Sequence, residues 1–371
     1  MGPAERAKVI SGHVKPAPTS FTELPVVDMS RWRQGPEERK RLAQEVCDIC
    51  HNIGFFQVVN HGVDQEIVDD VFSMMSRFFA LPEGQKAMID KAQSRHFRGW
   101  ERVGSERTNN RVDYREQIDF WSDGSPRAAG VTPAYYRLLG PNTYLPDTVL
   151  PNFKSVSTRW FASAAQVAAD LMEVFSVGLG LDPLHLEGLF GPKDERMSLT
   201  KFIHYPPSPE GGAGVNAHHD TGFVTVLAPG PTPGLEVQDA RGAWIPVRAA
   251  PGAFVINIGE MLQGMTGNYF LATPHRVITT EERLSCAYFH GPALSTPLDP
   301  LPISPHFFDA VAASPRHRGA GWMAVRNELL AGGTEDMRAG QASSVYGEQL
   351  WNYFVRSYPE NVKTHYPDVA E

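Results

Sequence analysis

Two imidazoles and a carboxylate are carried by Ala217-His218-His219-Asp220-Thr221-Gly222 taken with the later Thr273-Pro274-His275-Arg276-Val277. His218 and Asp220 are two residues apart, so on a β-strand their side chains leave the same face. His219 points the other way and is assigned no metal role. His275 lies 55 residues beyond Asp220, enough chain for several strands to bring it back. Two His and one Asp on one side of a metal, with the other positions open, suit a non-haem Fe(II) oxygenase. An H-x-D pair alone is weak, because any strand can carry one. Arg283-Leu284-Ser285 strengthens it, inside the alternating run that continues Cys286-Ala287-Tyr288-Phe289. Arg283 and Ser285 share a strand face and can hold a carboxylate through a charge-assisted fork and a hydroxyl.

Further blocks carry a family likeness. Leu24-Pro25-Val26-Val27-Asp28, the run Ile53 to Val63, Tyr205-Pro206-Pro207, His218-x-Asp220, His275 and Arg283-x-Ser285 stand in one order. In that order the chain resembles the isopenicillin N synthase-like branch of Fe(II)/2-oxoglutarate-dependent dioxygenases. The resemblance covers most of the chain. It implies a double-stranded β-helix (jelly roll, cupin-like) core flanked by helices, in an α+β, mainly β, fold. It implies His218, Asp220 and His275 as catalytic iron ligands. Arg283 and Ser285, with the Tyr205 hydroxyl, would bind 2-oxoglutarate, and Lys201 is grouped with them. O2 is the further co-substrate, and succinate and CO2 are released as a small metabolite is hydroxylated or desaturated.

Cys286 to His290 and Arg356-Ser357-Tyr358-Pro359 look closer to microbial members, including ethylene-forming enzymes. That likeness implies Glu106, Thr108, Arg356 and Tyr358 as substrate residues. It points to an amino acid held at a carboxylate end and a cationic end. The sequence departs from the pattern in three places. Ile203 stands where the family often has Asn, the His275-to-Arg283 connection is about one residue short, and Thr221 replaces an aromatic residue after the ligand Asp. Two other readings stay open: an iron oxidase that needs no 2-oxoglutarate, and a jelly-roll binding protein with a residual metal site.

The chain has 371 residues, 42% hydrophobic and 20% charged, which is ordinary for a globular protein. A net charge of −8 without a long basic run argues against a nucleic-acid partner. No transmembrane run and no signal-type apolar region stand out, so a cytoplasmic, monomeric or weakly self-associating enzyme with a small-molecule substrate is expected. Three cysteines (Cys47, Cys50, Cys286) make no disulfide framework. Cys47-Asp48-Ile49-Cys50-His51 matches a haem-attachment motif, but Cys50 follows Val46 by four residues on an apolar helical face, where a thiol packs as a small hydrophobe.

To position these residues, the pattern predicts a loose arm over 1–20 and a region over 21–150 packed on the core. A backing helix and jelly roll follow over 151–295, and C-terminal loops with a lid helix over 296–371, the whole being one unit. Helices are expected over 37–51, 64–79, 83–92 and 152–180, with Phe161, Ala165, Val167, Leu171, Val174 and Phe175 available to bury. An irregular loop is expected over 94–110, with Arg95, Arg98 and Glu101 either solvated or in a specificity loop. A strand is expected over 115–121. Eight short strands then begin near 198, 214, 223, 235, 244, 253, 273 and 284, separated by Gly and Pro turns. Such a series fits a double-sheet jelly roll. Pro-rich loops follow, and then a helix over 344–358. His61, in the turn Asn60-His61-Gly62, is expected to be a hydrogen-bonded structural residue.

Overall fold

The Gly- and Pro-punctuated second half folds as its alternation requires. The computed structural model describes residues 21–108, 111–128, 130–208, 212–318 and 345–369; the expected arm over 1–20 and Ser344 lie outside them. The eight expected strands are β7 (Leu199–Tyr205), β8 (Ala213–His218), β9 (Val224–Ala228), β10 (Leu235–Gln238), β11 (Trp244–Pro246), β12 (Phe254–Ile258), β13 (His275–Ile278) and β14 (Arg283–His290). The first half adds β1 (Val26–Asp28), β2 (Phe55–Val59), β3 (Gly99–Glu101), the hairpin β4 (Arg107–Thr108) and β5 (Arg111–Val112), and β6 (Glu116–Trp121).

An eight-stranded sheet runs β1-β2-β12-β9-β14-β7-β6-β3, and a four-stranded sheet runs β11-β10-β13-β8. They form the two walls of the double-stranded β-helix. Strands from residues 21–150 therefore make both edges of the large sheet. One core fills the space between the sheets, including Ile203, Val215, Leu235, Val255 and Val277. A larger core lies between the outer face of the large sheet and the helices.

Two long helices, α1 (Pro36–Asn52) and α2 (Gln65–Phe79), pack on a third. Between α2 and that third helix comes the short α3 (Glu83–Lys86). The third helix, α4 (Phe153–Gly178), backs the sheet with Trp160, Ala164, Val167, Ala168, Leu171, Met172, Val174 and Phe175 buried. The 3–4-residue spacing holds, but Trp160 and Ala164 lead the stripe rather than Phe161 and Ala165. Phe161 lies at the stripe's margin, with its ring edge on Tyr288 at 5.2 Å. Cys47 and Cys50 are free and buried on α1. His51 stacks between Tyr269 and His317 at 4.3 and 4.1 Å, a packing role. His61 Nε2 lies 3.0 Å from the Gly252 carbonyl and its ring stacks on Phe254.

Several elements depart from expectation. Residues 83–92 are not one helix: α3 gives way to two 3-10 turns, and the Asp90 carboxylate accepts from Ala92 N to start the second. The 94–110 loop contains β3, which pairs with β6. Gly99 there has φ +121°, and a Cβ would lie 2.1 Å from the Ile89 carbonyl oxygen, so only glycine lets the backbones approach. Arg98 is not solvated; it is fully buried and donates to the Leu138 and Ser122 carbonyls. Glu101 is buried as well, while Arg95 is exposed. Beyond β9 the chain also forms α5's successor, α6 (Glu260–Met265), the short α5 itself (His185–Leu189) having followed α4. The stretch after His290, expected as loops, holds α7 (Pro305–Ala313) and α8 (Pro315–Arg318). The C-terminal helix is α9 (Tyr346–Ser357), followed by α10 (Pro359–His365). No described helix is long and apolar enough to cross a membrane.

The stripe on α4 makes a direct prediction. Trp160→Ala should lower stability by about 3–5 kcal/mol, as expected for truncating a buried aromatic. Phe161→Ala should cost clearly less. Urea denaturation with an unchanged slope would read both, and equal losses would contradict the placement of the stripe.

Candidate metal centre

The small sheet brings the two histidines together, because His275 opens β13 directly opposite His218 at the end of β8. Asp220 does not reach them by strand alternation, since β8 has already ended at His218. It sits in the following turn, which is tied to the start of α6 by Glu260 N donating to Asp220 O at 2.8 Å and Met261 N to Thr221 O at 3.1 Å. Gly259 lets this turn close. A Cβ there would stand 2.2 Å from the Gly222 carbonyl oxygen.

One ligand atom from each of His218, Asp220 and His275 falls within 4.8 Å of the others. Asp220 Oδ1 lies 3.5 Å from Nε2 of each imidazole. Each ring turns Nδ1 to a carbonyl two residues back, His218 to Asn216 O at 2.8 Å and His275 to Thr273 O at 3.1 Å. A donating Nδ1–H there leaves the Nε2 lone pair free for a metal. The other Asp220 oxygen, Oδ2, accepts from Thr225 Oγ1 at 2.6 Å and Asn257 Nδ2 at 2.7 Å. Burial pushes the Asp220 carboxyl up, but the charge of His275 and hydrogen bonds from both imidazoles outweigh it and hold it well below the usual range. Burial likewise opposes a charged His275, and Asp220 more than offsets it. His219 is exposed and is not one of the three grouped donors. Two imidazole nitrogens and one carboxylate oxygen, all oriented, are a donor set that fits a divalent first-row metal such as Fe(II).

The same cavity contains Arg283, Ser285 and Tyr205. Arg283 begins β14 and pairs with Tyr205 in register. Its Nε and Nη2 donate to the Thr232 and Pro229 carbonyls, both at 3.2 Å. Its Nη1 is buried without a partner among the described residues. The guanidinium carbon stands 4.9 Å from the Tyr205 ring centroid, and Ser285 is 1% exposed. The remaining walls are largely apolar, among them Phe55, Val215, Leu227, Leu235 and Val277.

The other expected residues lie elsewhere. Lys201 shares a strand face with Tyr205 but stands four residues, about 13 Å, further along it. Its ammonium is held by Glu106 at 3.3 Å and Asp119 at 3.2 Å, so it is not in the metal cavity. Glu106 pairs also with Arg115, which does line the cavity. Thr108 Oγ1 donates to Asp113 at 2.6 Å. The Tyr358 hydroxyl accepts from Lys91 at 2.9 Å. Arg356 is not among the residues that line the metal cavity. It is exposed, two residues and about 200° around α9 from buried Phe354.

Sequence reading missed Thr225, Asn257 and Arg115. Asn257 left a signal: it is the one polar residue in Phe254-Val255-Ile256-Asn257-Ile258, a strand buried throughout. A polar group in such a strand needs a partner.

Comparison with known proteins bears on this geometry. Residues 24–147 match a family model described as non-haem dioxygenase in morphine synthesis N-terminal, and residues 193–292 match one described as the 2OG-Fe(II) oxygenase superfamily. A 2-oxoglutarate-dependent dioxygenase of Gibberella zeae is 28% identical, over 95% of this chain and 93% of its own. One from Didymella fabae is 30% identical, over 74% of this chain and 86% of its own. Among solved structures, JOX2 in complex with 2OG, Fe and JA superposes with a TM-score of 0.62 at 24% identity, over 79% of this chain and 84% of that one.

The support around Asp220 should be measurable as metal affinity. Asn257→Leu or Thr225→Val should weaken Fe(II) binding by about 10–100-fold with the fold retained. Gly259→Ala, which pushes on the Asp220 turn, should do the same. Calorimetric titration of Fe(II) without oxygen checks all three, and wild-type affinity would remove these residues from the site.

Proposed function

The chain belongs to the 2-oxoglutarate–Fe(II) oxygenase superfamily, and from that premise we propose that it hydroxylates or desaturates a small metabolite, an amino acid or a derivative of one. It is an oxidoreductase that uses Fe(II), 2-oxoglutarate and O2. In our reading His218 Nε2, Asp220 Oδ1 and His275 Nε2 hold the iron, and Arg283 with Ser285 and Tyr205 holds the distal carboxylate of 2-oxoglutarate.

The observation that carries this reading is the bare Arg283 Nη1 in the cavity that also contains the three metal donors. A buried N–H with no partner costs about 1–3 kcal/mol, more on a charged group, and a carboxylate would satisfy it. The other guanidinium nitrogens are spent on carbonyls, which fix the plane and aim Nη1. Ser285 offers a hydroxyl one pleat further along β14. The bound iron supplies activation of O2, coupled to oxidative decarboxylation of the keto acid. The chain's part is to hold the keto acid in one orientation and to keep bulk water out with the apolar walls.

Two measurements test this reading. Without oxygen, Fe(II) and 2-oxoglutarate added together should give a visible charge-transfer band that neither gives alone, and His218→Ala or Asp220→Ala should abolish it. Arg283→Ala should raise the 2-oxoglutarate concentration needed for half the band by at least tenfold. Iron bound with no band would instead support an oxidase that needs no 2-oxoglutarate. An unchanged requirement in Arg283→Ala would take Arg283 out of the site.

A further inference from the structure

The inner face of β6 and the residue before it carry Arg115, Gln117 and Asp119 at alternate positions, leading away from the metal cavity. Arg115 lines that cavity, Gln117 lies opposite Ile203, which also lines it, and Asp119 lies opposite Lys201. Around this strip the buried charges are closely interlocked. Lys91 Nζ reaches Glu101 at 2.8 Å and Asp119 at 2.6 Å. Lys201 lies between Asp119 and Glu106, and Arg115 between Glu106 and Asp113.

Among the described residues, these ion pairs join four carboxylates (Glu101, Glu106, Asp113, Asp119) to three cations (Lys91, Lys201, Arg115). Their side chains are all at most 15% exposed. Each carboxylate has a cationic neighbour, and the cluster as a whole carries one more negative than positive charge. A second, independent feature points the same way. Gln117 is 1% exposed and gives its amide N–H to Glu101 at 2.9 Å, but its Oε1 accepts from no described residue. A bare acceptor amid surplus negative charge is what a cationic N–H group would fill. On the iron side the polarity reverses: Arg115 Nε is a buried donor without an acceptor among the described residues. The two positions are about 6–7 Å apart along the strand.

We propose that this strip selects the substrate, and that the substrate is a small molecule with a cationic nitrogen, an amine or guanidine, and an acceptor such as a carboxylate or carbonyl on its iron-facing side. The cation lies against Gln117, Glu101 and Asp119, and the acceptor meets Arg115. Gln117 is thus a specificity-determining residue. The assignment rests on the oxygenase reading above, and the test separates the two.

The charge-transfer band of the anaerobic Fe(II)/2-oxoglutarate protein is recorded first; its absence would undo the oxygenase reading and leave the strip to be judged by binding alone. The protein is then titrated by calorimetry with n-butylguanidinium and with N-butylurea, which match in shape and differ in charge. The cation should bind at least tenfold more tightly, and Gln117→Lys, which supplies the missing charge itself, should remove that preference while the band persists. Equal affinity for the two probes, no saturable binding of either, or a preference that survives in Gln117→Lys would each overturn the proposal. The wild-type comparison stands by itself should the variant fail to fold.

Discussion

Asp220 ties the two sheets together at the place where chemistry is possible. Its Oδ2 is held by Thr225 on β9 and Asn257 on β12, both in the large sheet. Its Oδ1 faces His218 on β8 and His275 on β13, both in the small sheet. A carboxylate with both oxygens committed cannot swing, and the 3.5 Å separations hold only while both sheets keep their registers. Burial alone would favour its protonated form, so its low pKa depends on those neighbours. The apolar packing between the sheets, through Val215, Leu235, Val255 and Val277, therefore sets the geometry of a polar site.

Buried charge elsewhere follows the same economy of partners. Arg98 is wholly buried and gives Nη1 and Nη2 to carbonyl oxygens, so it stiffens the 94–98 segment against residues 122 and 138. Lys91 does more, because it joins Glu101 and Asp119 of the large sheet to the Tyr358 hydroxyl just after α9. Asn361 on α10 then donates to the Lys91 carbonyl at 2.9 Å. The C-terminal helices are thus docked on the polar strip by specific hydrogen bonds.

Much of this was legible in the residues. The β7–β14 series carries strong alternation and explicit turn residues, and its bounds differ from expectation by a residue or so at most ends. His218, Asp220, His275, Arg283, Ser285 and Tyr205 were all found by spacing and likeness, and the fold brings them to one cavity. What was not legible depends on contacts distant in sequence. A three-residue strand such as β3 has no period to detect, and its pairing with β6 decides that Glu101 is buried. Arg98, in 94–110, reads as solvated or as part of a specificity loop until the carbonyls around it are known. Lys201 had the right strand face and the wrong distance along it. Arg356 has only a family likeness to mark it, and the phase of α9 turns it outward.

The pairing of β2 with β12 sets Phe55 beside Asn257, two strands whose residues lie some two hundred positions apart in the chain. Closing so long a loop costs entropy before any contact repays it, and non-local sheets of this kind fold slowly. Asn257 is also the residue that holds Asp220. One edge of β2 therefore stays unpaired until β12 is available to it. The centre is therefore complete only once β12 and β13, from the far half of the chain, have joined β2 and β8.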